Sequence, residues 1–167
     1  MMISKPMNAA LDKQIANELA ASHKYLALAF CLEGMGLKIF AQRFKQQADE
    51  ERGHALKIAA YIQDVGGKVT LGAMDKPKAD YKTVREIVKA AVDSEITVTR
   101  QINDLMAKSE KEQDYTTRSF LKWFVDEQVE EVSSMTELLQ LVTRAGESNL
   151  LYVEARLAAA MAAPSKE

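Results

Sequence analysis

The sequence predicts an all-α fold: a four-helix bundle with one long crossover and a short fifth helix at the C-terminus. Four long segments of the 167-residue chain repeat apolar residues at alternating steps of three and four, the period of an amphipathic helix. Only 7 glycines and 3 prolines punctuate the chain, too few for the many turns of an all-β fold. A segment without helical period separates the second helical segment from the third.

The first two helices are predicted over residues 8–33 and 39–65. Asn8 is a favourable N-cap residue, Gly34 and Gly36 end the first helix, and Gly66 and Gly67 end the second. The inward stripe of the first helix is Leu11, Ile15, Glu18, Ser22, Tyr25 and Ala29. The stripe of the second is Phe40, Phe44, Gln47, Glu51, His54, Ile58, Tyr61 or Ile62, and Val65.

The third and fourth helices are predicted over residues 83–109 and 115–144. The stripe of the third is Val84, Val88, Ala91, Glu95, Val98, Ile102 and Leu105. The stripe of the fourth is Leu121, Phe124, Gln128, Glu131, Met135, Leu138 and Val142, and Gly146 breaks this helix. Helices of these lengths extend about 40 Å, which suits a four-helix bundle.

The connections predict the topology. Short turns after the first and third helices indicate two antiparallel hairpins. The link over residues 66–81 is long enough to cross the length of the bundle, so the second and third helices can run parallel. The expected order is up-down-down-up with a single domain over residues 1–167.

A fifth helix is predicted over residues 148–163, with Ser148 as a candidate cap. Its apolar run, including Leu150, Leu151, Val153 and Leu157, is unsuited to hanging free in water. Docking at a subunit interface is the expected outcome, and packing on the end of its own bundle is the alternative.

Composition excludes several classes of protein. The net charge of −2 gives no basic footprint for nucleic acid, and the longest apolar run in the first half, residues 25–32, is too short to span a membrane. The N-terminus lacks the apolar segment of a secretory signal, so a cytoplasmic location is expected. The one cysteine, Cys31, excludes an intramolecular disulfide framework and multi-cysteine metal sites, and is expected to be a small buried apolar residue.

Each of the four stripes is interrupted near its middle by a polar residue that can bind metal. These residues are Glu18 on the first helix, Glu51 and His54 on the second, Glu95 on the third, and Gln128 and Glu131 on the fourth. Four carboxylates at one level of a core repel one another and cannot all be ionised without cationic charge. No Lys or Arg lies on these stripes near that level, so divalent metal ions are the predicted source of the charge.

The spacing of these residues predicts which of them bind each of two metal ions. Glu51 and His54 form Glu-x-x-His, a metal-binding pair of di-iron carboxylate bundles, with both side chains on one face of a helix. We expect Glu51 to bridge, Glu18 and His54 to complete the first metal site, and two carboxylates to complete the second, namely Glu95 and Glu131. Gln128 is a weak neutral ligand beside them. Oxygen donors with one imidazole and no thiolate favour iron or manganese over structural zinc.

The chain resembles the bacterial non-haem ferritins over nearly its whole length. The matching segments are NELAASHKYLALA around Glu18, ADEERGHALKIAAYI around Glu51 and His54, and FLKWFVDEQVEEV around Gln128 and Glu131. This resemblance implies a 24-subunit hollow shell that oxidises Fe(II) with O2 or peroxide and stores a ferric mineral. It implies that Glu18, Glu51, His54, Glu95 and Glu131 form the ferroxidase centre, with Gln128 beside it.

The resemblance also implies secondary sites. A third iron position in such ferritins uses further carboxylates, which correspond to Glu50, Glu127 and Glu130 of this chain. From the residues alone, these three side chains can equally be ordinary solvated charges. Tyr25 lies two turns from Glu18 on the same face. Three roles are open for it: an electron donor, a hydrogen-bond anchor or an ordinary core tyrosine. The turn between the third and fourth helices offers channel candidates for iron entry: Glu110, Glu112 and Asp114.

Other classes of helical protein fit less well. Bacterioferritin carries a second Glu-x-x-His on its fourth helix and a haem-binding Met after the bridging Glu, whereas this chain has Glu131 and Arg52 there, so no haem is expected. Rubrerythrin-like enzymes need a cysteine-rich iron domain, and DNA-protecting miniferritins bind metal between subunits. A metal-free helical scaffold, with the polar layer fixing only the register, is the alternative from another class.

Overall fold

The computed structural model describes residues 2–163, which form five α-helices and one 3-10 turn. The helices are α1 (Lys5–Gly34), α2 (Lys38–Asp64), α3 (Val84–Lys111), α4 (Tyr115–Ala145) and α5 (Leu150–Ala162), with the 3-10 turn at Glu147–Asn149. The described residues contain no strand, which confirms the predicted all-α class. None of these helices has both the length and the apolar character that a membrane span requires. Residues 1 and 164–167 of the predicted domain lie outside the described part.

The directions of the four long helices confirm the predicted topology. Four side-chain contacts fix them: Gln14 with Gln101 and Tyr25 with Glu95 between α1 and α3, and Gln47 with Glu131 and Tyr61 with Phe120 between α2 and α4. In both helix pairs the residue number rises along one helix as it falls along the other, so each pair is antiparallel. Since α1 and α2 also form an antiparallel hairpin, α2 and α3 run parallel.

The crossover between α2 and α3 follows α1 from its beginning to its end. Three contacts mark its course: Lys68 N–H donates to Asn8 Oδ1, Thr70 N–H donates to Asp12 Oδ1, and Cys31 Sγ lies 3.0 Å from Ala79 O. Cys31 is only partly buried, which corrects the buried residue expected from the sequence, and its thiol donates to the crossover backbone.

Several helix ends differ from the sequence prediction because other residues supply the caps. α1 begins at Lys5, one turn before Asn8, since Ser4 Oγ accepts a hydrogen bond from Met7 N–H and Pro6 suits the first turn. Asn8 instead binds the crossover. Ser148 lies inside the 3-10 turn and does not cap α5, which follows Asn149 without a side-chain cap.

The bundle core consists of two apolar clusters on either side of a polar layer. One cluster, at the α5 end, contains Leu28, Phe40, Phe44, Val88 and Leu138 among others. The other, at the opposite end, contains Leu11, Ile15, Ile58, Ile102 and Leu121 among others. Apart from Tyr61, which is partly buried while its alternative Ile62 is fully buried, every residue of the four predicted stripes is buried.

α5 packs against the end of its own bundle, the alternative that the sequence left open. Leu150 and Val153 are buried there, and Glu154 Oε1 accepts hydrogen bonds from the first turn of α2. Leu151 and Tyr152 are 75% and 63% exposed on the opposite side of the helix. The docking of α5 at a subunit interface stays a prediction.

Candidate metal centre

The six residues predicted as the metal centre meet in the polar layer, and all are buried. Their exposed fractions are 0% for Glu18 and Glu51, 6% for His54, 1% for Glu95, 4% for Gln128 and 6% for Glu131. All four long helices contribute to this set. The helical period places them at one level because each occupies a core position of its own helix.

The first group of donors joins α1 and α2. Ligand atoms of Glu18, Glu51 and His54 all lie within 4.8 Å of one another. His54 Nδ1 is 3.3 Å from Glu51 Oε2 and 3.9 Å from Glu18 Oε2. Both of these oxygens are buried without a well-aligned hydrogen-bond partner. Buried polar atoms are rarely left unpaired, so this pair of oxygens is suited to a ligand of positive charge.

A second group of donors joins α2 and α4. Ligand atoms of His54, Glu127 and Glu131 lie within 4.8 Å of one another, and Glu127 is half-buried. Glu95 belongs to neither of the two groups found in residues 2–163. Its carboxylate instead accepts hydrogen bonds from the Tyr25 hydroxyl and, at 3.4 Å, from Gln128 Nε2.

The three carboxylates expected to form a third iron position are less enclosed. Glu50 and Glu130 are exposed, and Glu50 pairs with Arg43 at 3.9 Å. The pKa of Glu50 is raised overall, mainly because the surrounding protein partly desolvates its carboxylate. The charge of Arg43 opposes this shift, and the charge of Glu51 adds to it. Only Glu127 of the three is brought into a compact donor group.

The acidic residues of the α3–α4 turn have local partners. Asp114 caps α4 by accepting from Thr117 N–H, Glu112 pairs with Lys108 at 2.7 Å, and Glu110 pairs with Arg118 at 3.2 Å. Each charge thus has a structural use in the subunit, and a role in iron entry stays a prediction.

Burial and mutual repulsion shift three carboxylates of the layer, those of Glu18, Glu95 and Glu131, toward their neutral forms. Burial, followed by the charge of Glu51, raises the pKa of Glu18 to about 8 and that of Glu95 to about 7. Burial, followed by the charges of Glu95 and Glu51, raises the pKa of Glu131 to about 8. No Lys or Arg of the described chain forms an ion pair with these three carboxylates or with Glu51.

The imidazole of His54 is shifted in the opposite sense. Burial acts to lower its pKa, but the contact with Glu51 and the negative charges of Glu51 and Glu18 outweigh it and raise the pKa to about 9. In the metal-free protein, His54 is therefore the cation that partly offsets the carboxylates. A metal ion would replace that proton and leave the neutral imidazole as a ligand.

Tyr25 is fully buried beside the layer. Burial and the neighbouring Glu95 carboxylate raise the pKa of its hydroxyl well above the ordinary value. Because the hydroxyl stays protonated, it donates to Glu95, as expected for the hydrogen-bond anchor considered from the sequence.

Two further residues of the layer were not identified as site residues from the sequence: Gln14 and Gln47. Gln14 Nε2 lies 2.8 Å from Glu18 Oε1, and Gln47 Nε2 lies 2.9 Å from Glu51 Oε1. The sequence carries a signal for both, since each glutamine precedes its glutamate by four residues on a buried helix face.

The donor set of the layer fits a pair of hard divalent cations. It offers carboxylate oxygens and one imidazole, with no thiolate, which is the preference of iron and manganese. The unpaired buried oxygens and the raised carboxylate pKa values both indicate missing positive charge.

Comparison with known proteins finds relatives over nearly the whole chain. A family described as a ferritin-like domain matches residues 8–145. The bacterial non-heme ferritin of Staphylococcus aureus (strain USA300) is 40% identical over 153 residues, covering 91% of this chain and 92% of the relative. Ferritin BfrB of Mycolicibacterium smegmatis is 38% identical over 156 residues, covering 93% and 86%. Among solved structures, an open pore ferritin from Archaeoglobus fulgidus has a TM-score of 0.91 at 32% identity, covering 93% and 96%.

Proposed function

The chain belongs to the ferritin family, and from this premise we propose that it stores iron after oxidising Fe(II) to Fe(III) at the buried carboxylate layer. One observation carries the proposal: four buried carboxylates and an imidazole meet, and no Lys or Arg within residues 2–163 forms an ion pair with these carboxylates. Such a layer is unfavourable in a metal-free scaffold and suited to binding two cations.

Two Fe(II) ions are the substrate of this site. Glu18 and His54 hold the first ion, Glu95 and Glu131 hold the second, and Glu51 bridges the two. The 3.3 Å contact between Glu51 and His54 supports a shared first ion. The second donor group, which adds Glu127 beside Glu131, supports a further ligand on the α4 side. Gln128, whose amide contacts Glu95, orients that carboxylate beside the second ion.

The redox step balances with O2 or peroxide, the oxidants that the family resemblance implies. Each Fe(II) gives up one electron, so two ions reduce one O2 to H2O2 with uptake of two protons. With peroxide as the oxidant, two ions and two protons yield two waters. The protein contributes a carboxylate environment that favours Fe(III) over Fe(II), because the higher charge gains more from anionic ligands.

Proton release accompanies metal binding. The raised pKa values, about 8 for Glu18 and Glu131 and about 7 for Glu95, keep the first two carboxylates mostly protonated and the third about half protonated near neutral pH in the metal-free protein. Ligands bind metal in their deprotonated form, so Fe(II) displaces protons from the layer. The phenol of Tyr25 keeps Glu95 fixed during this exchange.

The finer features of the function follow from the family resemblance. We propose a shell of 24 subunits with the ferric mineral inside, and a third iron position near Glu127, with Glu50 and Glu130 at its edge. The absence of haem, the cytoplasmic location, and iron entry past Glu110, Glu112 and Asp114 stay predictions.

Stopped-flow absorbance of aerobic Fe(II) oxidation tests the proposal. Apo-protein receives two Fe(II) per subunit, and the near-ultraviolet absorbance of Fe(III)-oxo species is followed in wild type, Glu51→Ala and the control Asp49→Ala. Asp49 is exposed on the same helix, two residues earlier. We expect a fast phase that saturates near two irons per subunit in wild type and Asp49→Ala, and its loss in Glu51→Ala.

The outcomes separate the two classes of function. A wild type that only matches autoxidation in buffer contradicts the ferroxidase and favours the scaffold.

A further inference from the structure

We propose that Gln14 and Gln47 are positioning residues that select which oxygen of each carboxylate is free to bind a metal ion. The inference rests on the proposed function, because it concerns how the same layer receives two cations. Both glutamines are almost fully buried, at 2% and 0% exposure, although neither side chain is apolar. Each lies four residues before a carboxylate of the layer on the same helix.

Gln14 acts on the α1 side of the layer. Its Nε2 donates to Glu18 Oε1 at 2.8 Å, which occupies one oxygen of that carboxylate. The other oxygen, Glu18 Oε2, has no hydrogen-bond partner and faces His54 Nδ1 at 3.9 Å. The amide thus turns the unpaired oxygen toward the imidazole, where the first ion would bind.

Gln47 acts on two carboxylates from different helices. Its Nε2 donates to Glu51 Oε1 at 2.9 Å on α2 and to Glu131 Oε2 at 2.8 Å on α4. Glu51 Oε2 is left without a well-aligned partner, 3.3 Å from His54 Nδ1. One side chain therefore holds the bridging carboxylate and a ligand of the second ion in a fixed relation.

The amide is the side chain best suited to this task. A Lys or Arg in the same place would satisfy the carboxylate oxygen but would also cancel the negative charge that attracts the metal ion. A metal-bound carboxylate is ionised and accepts hydrogen bonds only, so the amide must present Nε2 to it. Neutral donors one turn away orient the carboxylates and leave the charge of the site unchanged.

The two glutamines should differ in which metal they affect. Gln14 contacts a ligand of the first ion alone, whereas Gln47 contacts the bridging ligand and a ligand of the second ion. Loss of hydrogen-bonding partners of metal ligands typically weakens metal binding about 10–100-fold. We therefore expect Gln14→Leu to weaken one site and Gln47→Leu to weaken both.

Titration of the full-length apo-protein with Co(II) tests this expectation without any redox step. Calorimetry gives the affinity and stoichiometry, and the visible d–d bands of Co(II) report the coordination of each ion. The variants are Gln47→Leu, Gln14→Leu, and the control Gln46→Leu, whose side chain is exposed on α2. Wild type and Gln46→Leu should bind two Co(II) per subunit with the same spectrum. Gln47→Leu should lose about 10–100-fold in affinity at both sites, with shifted d–d bands at saturation.

The outcomes distinguish failure of this inference from failure of the proposed function. Two tight sites in Gln47→Leu with the wild-type spectrum overturn the inference and leave the ferroxidase proposal intact. No buried Co(II) site in wild type overturns both. If Gln47→Leu does not assemble, the nearly isosteric Gln47→Met removes the donor without changing the charge of the layer, and unchanged binding in that variant equally overturns the inference.

Discussion

At the residue scale, three of the buried carboxylates of the polar layer have pKa values raised into the neutral range. Glu18 and Glu131 have pKa values raised to about 8, because burial and neighbouring carboxylates disfavour the charged form. His54 has its pKa raised to about 9 by the carboxylates despite its burial. At pH values between the ordinary and the raised pKa values of these groups, the folded metal-free protein therefore binds more protons than the unfolded chain.

This proton excess predicts the pH dependence of stability in the metal-free protein. A group whose pKa is higher in the folded state stabilises the fold below its ordinary pKa and loses that effect as the pH rises through the folded value. For the glutamates the loss runs from about pH 4.5 to about 8, and for His54 from about 6.5 to about 9. The melting temperature of the apo-protein should fall between pH 5 and pH 9, measured by circular dichroism.

Glu18→Gln provides the test of this attribution. The amide cannot ionise, so the variant should show a shallower decline over the same pH range, whereas the exposed Asp49→Asn should match wild type. An equal decline in all three proteins would mean that the layer does not control the pH dependence.

The sequence indicated which six polar residues meet in the layer, and the structure adds their hydrogen-bond partners. Glu18, Glu51, His54, Glu95, Gln128 and Glu131 could be chosen because charged and amide residues interrupt apolar stripes. Gln47 was placed on the stripe of the second helix but not among the site residues, and Gln14 lies outside the predicted stripe of the first helix. The attachment of Glu95 to Tyr25 also depends on how α1 and α3 pack, which spacing within one helix does not reveal.

At the scale of elements, α5 completes the end of another helix. α2 has no side-chain cap of its own at Leu37, and Glu154 of α5 accepts from Ile39 N–H at 2.8 Å and Phe40 N–H at 3.3 Å. A carboxylate at this position also interacts favourably with the positive end of the helix dipole.

Glu154→Ala should therefore destabilise the protein by about 1 kcal/mol, the usual effect of losing an N-terminal cap. Glu147→Ala serves as a comparison in which a smaller loss of stability is expected. Glu147 accepts hydrogen bonds from Val84 N–H and Arg85 N–H at the start of α3, but the side chain of Thr83 also caps that helix. Urea unfolding should show the larger loss for Glu154→Ala. The reverse order would contradict the assignment of Glu154 as the main cap of α2.

The beginning of the crossover depends on a residue without a side chain. A Cβ atom at Gly67 would lie 2.4 Å from Asn8 Oδ1 and 2.8 Å from Ile62 Cγ2, whereas one at Gly72 would lie 3.5 Å from the Cβ of Ala16. Gly67→Ala should destabilise the protein by roughly 1–3 kcal/mol, because these atoms must move. Gly72→Ala is the control and should change the unfolding midpoint little. Equal midpoints for both variants would show that the crossover adjusts freely.

The sequence located the long helices but not all of their ends. The interiors follow from apolar periodicity, which is a property of each segment alone. The start of α1 was misplaced because Asn8 and Ser4 are both good caps, and only the packed crossover shows that Asn8 is used elsewhere. The cap of α2 comes from a residue more than 100 positions away, which no local pattern can indicate.

At the scale of the whole molecule, the exposed face of α5 favours assembly. Leu151 and Tyr152 are 75% and 63% exposed in the single subunit, although both are large side chains with apolar surface. The predicted shell has a mass of about 450 kDa, twenty-four times the 18.6 kDa chain. Light scattering after size exclusion should give this mass for wild type and smaller species for Leu151→Asp. A monomeric wild type would contradict the shell. A Leu151→Asp variant that still forms the 24-mer would show that α5 does not contribute to the subunit interface.

The proposed function requires the carboxylate layer to bind two iron ions inside each subunit. Crystals of the apo-protein soaked anaerobically in Fe(II) and measured at the iron absorption edge would locate the ions by anomalous scattering. Two peaks are expected about 3.5–4 Å apart between Glu18, Glu51, His54, Glu95 and Glu131. Iron confined to the surface carboxylates, with no peak inside the bundle, would contradict it.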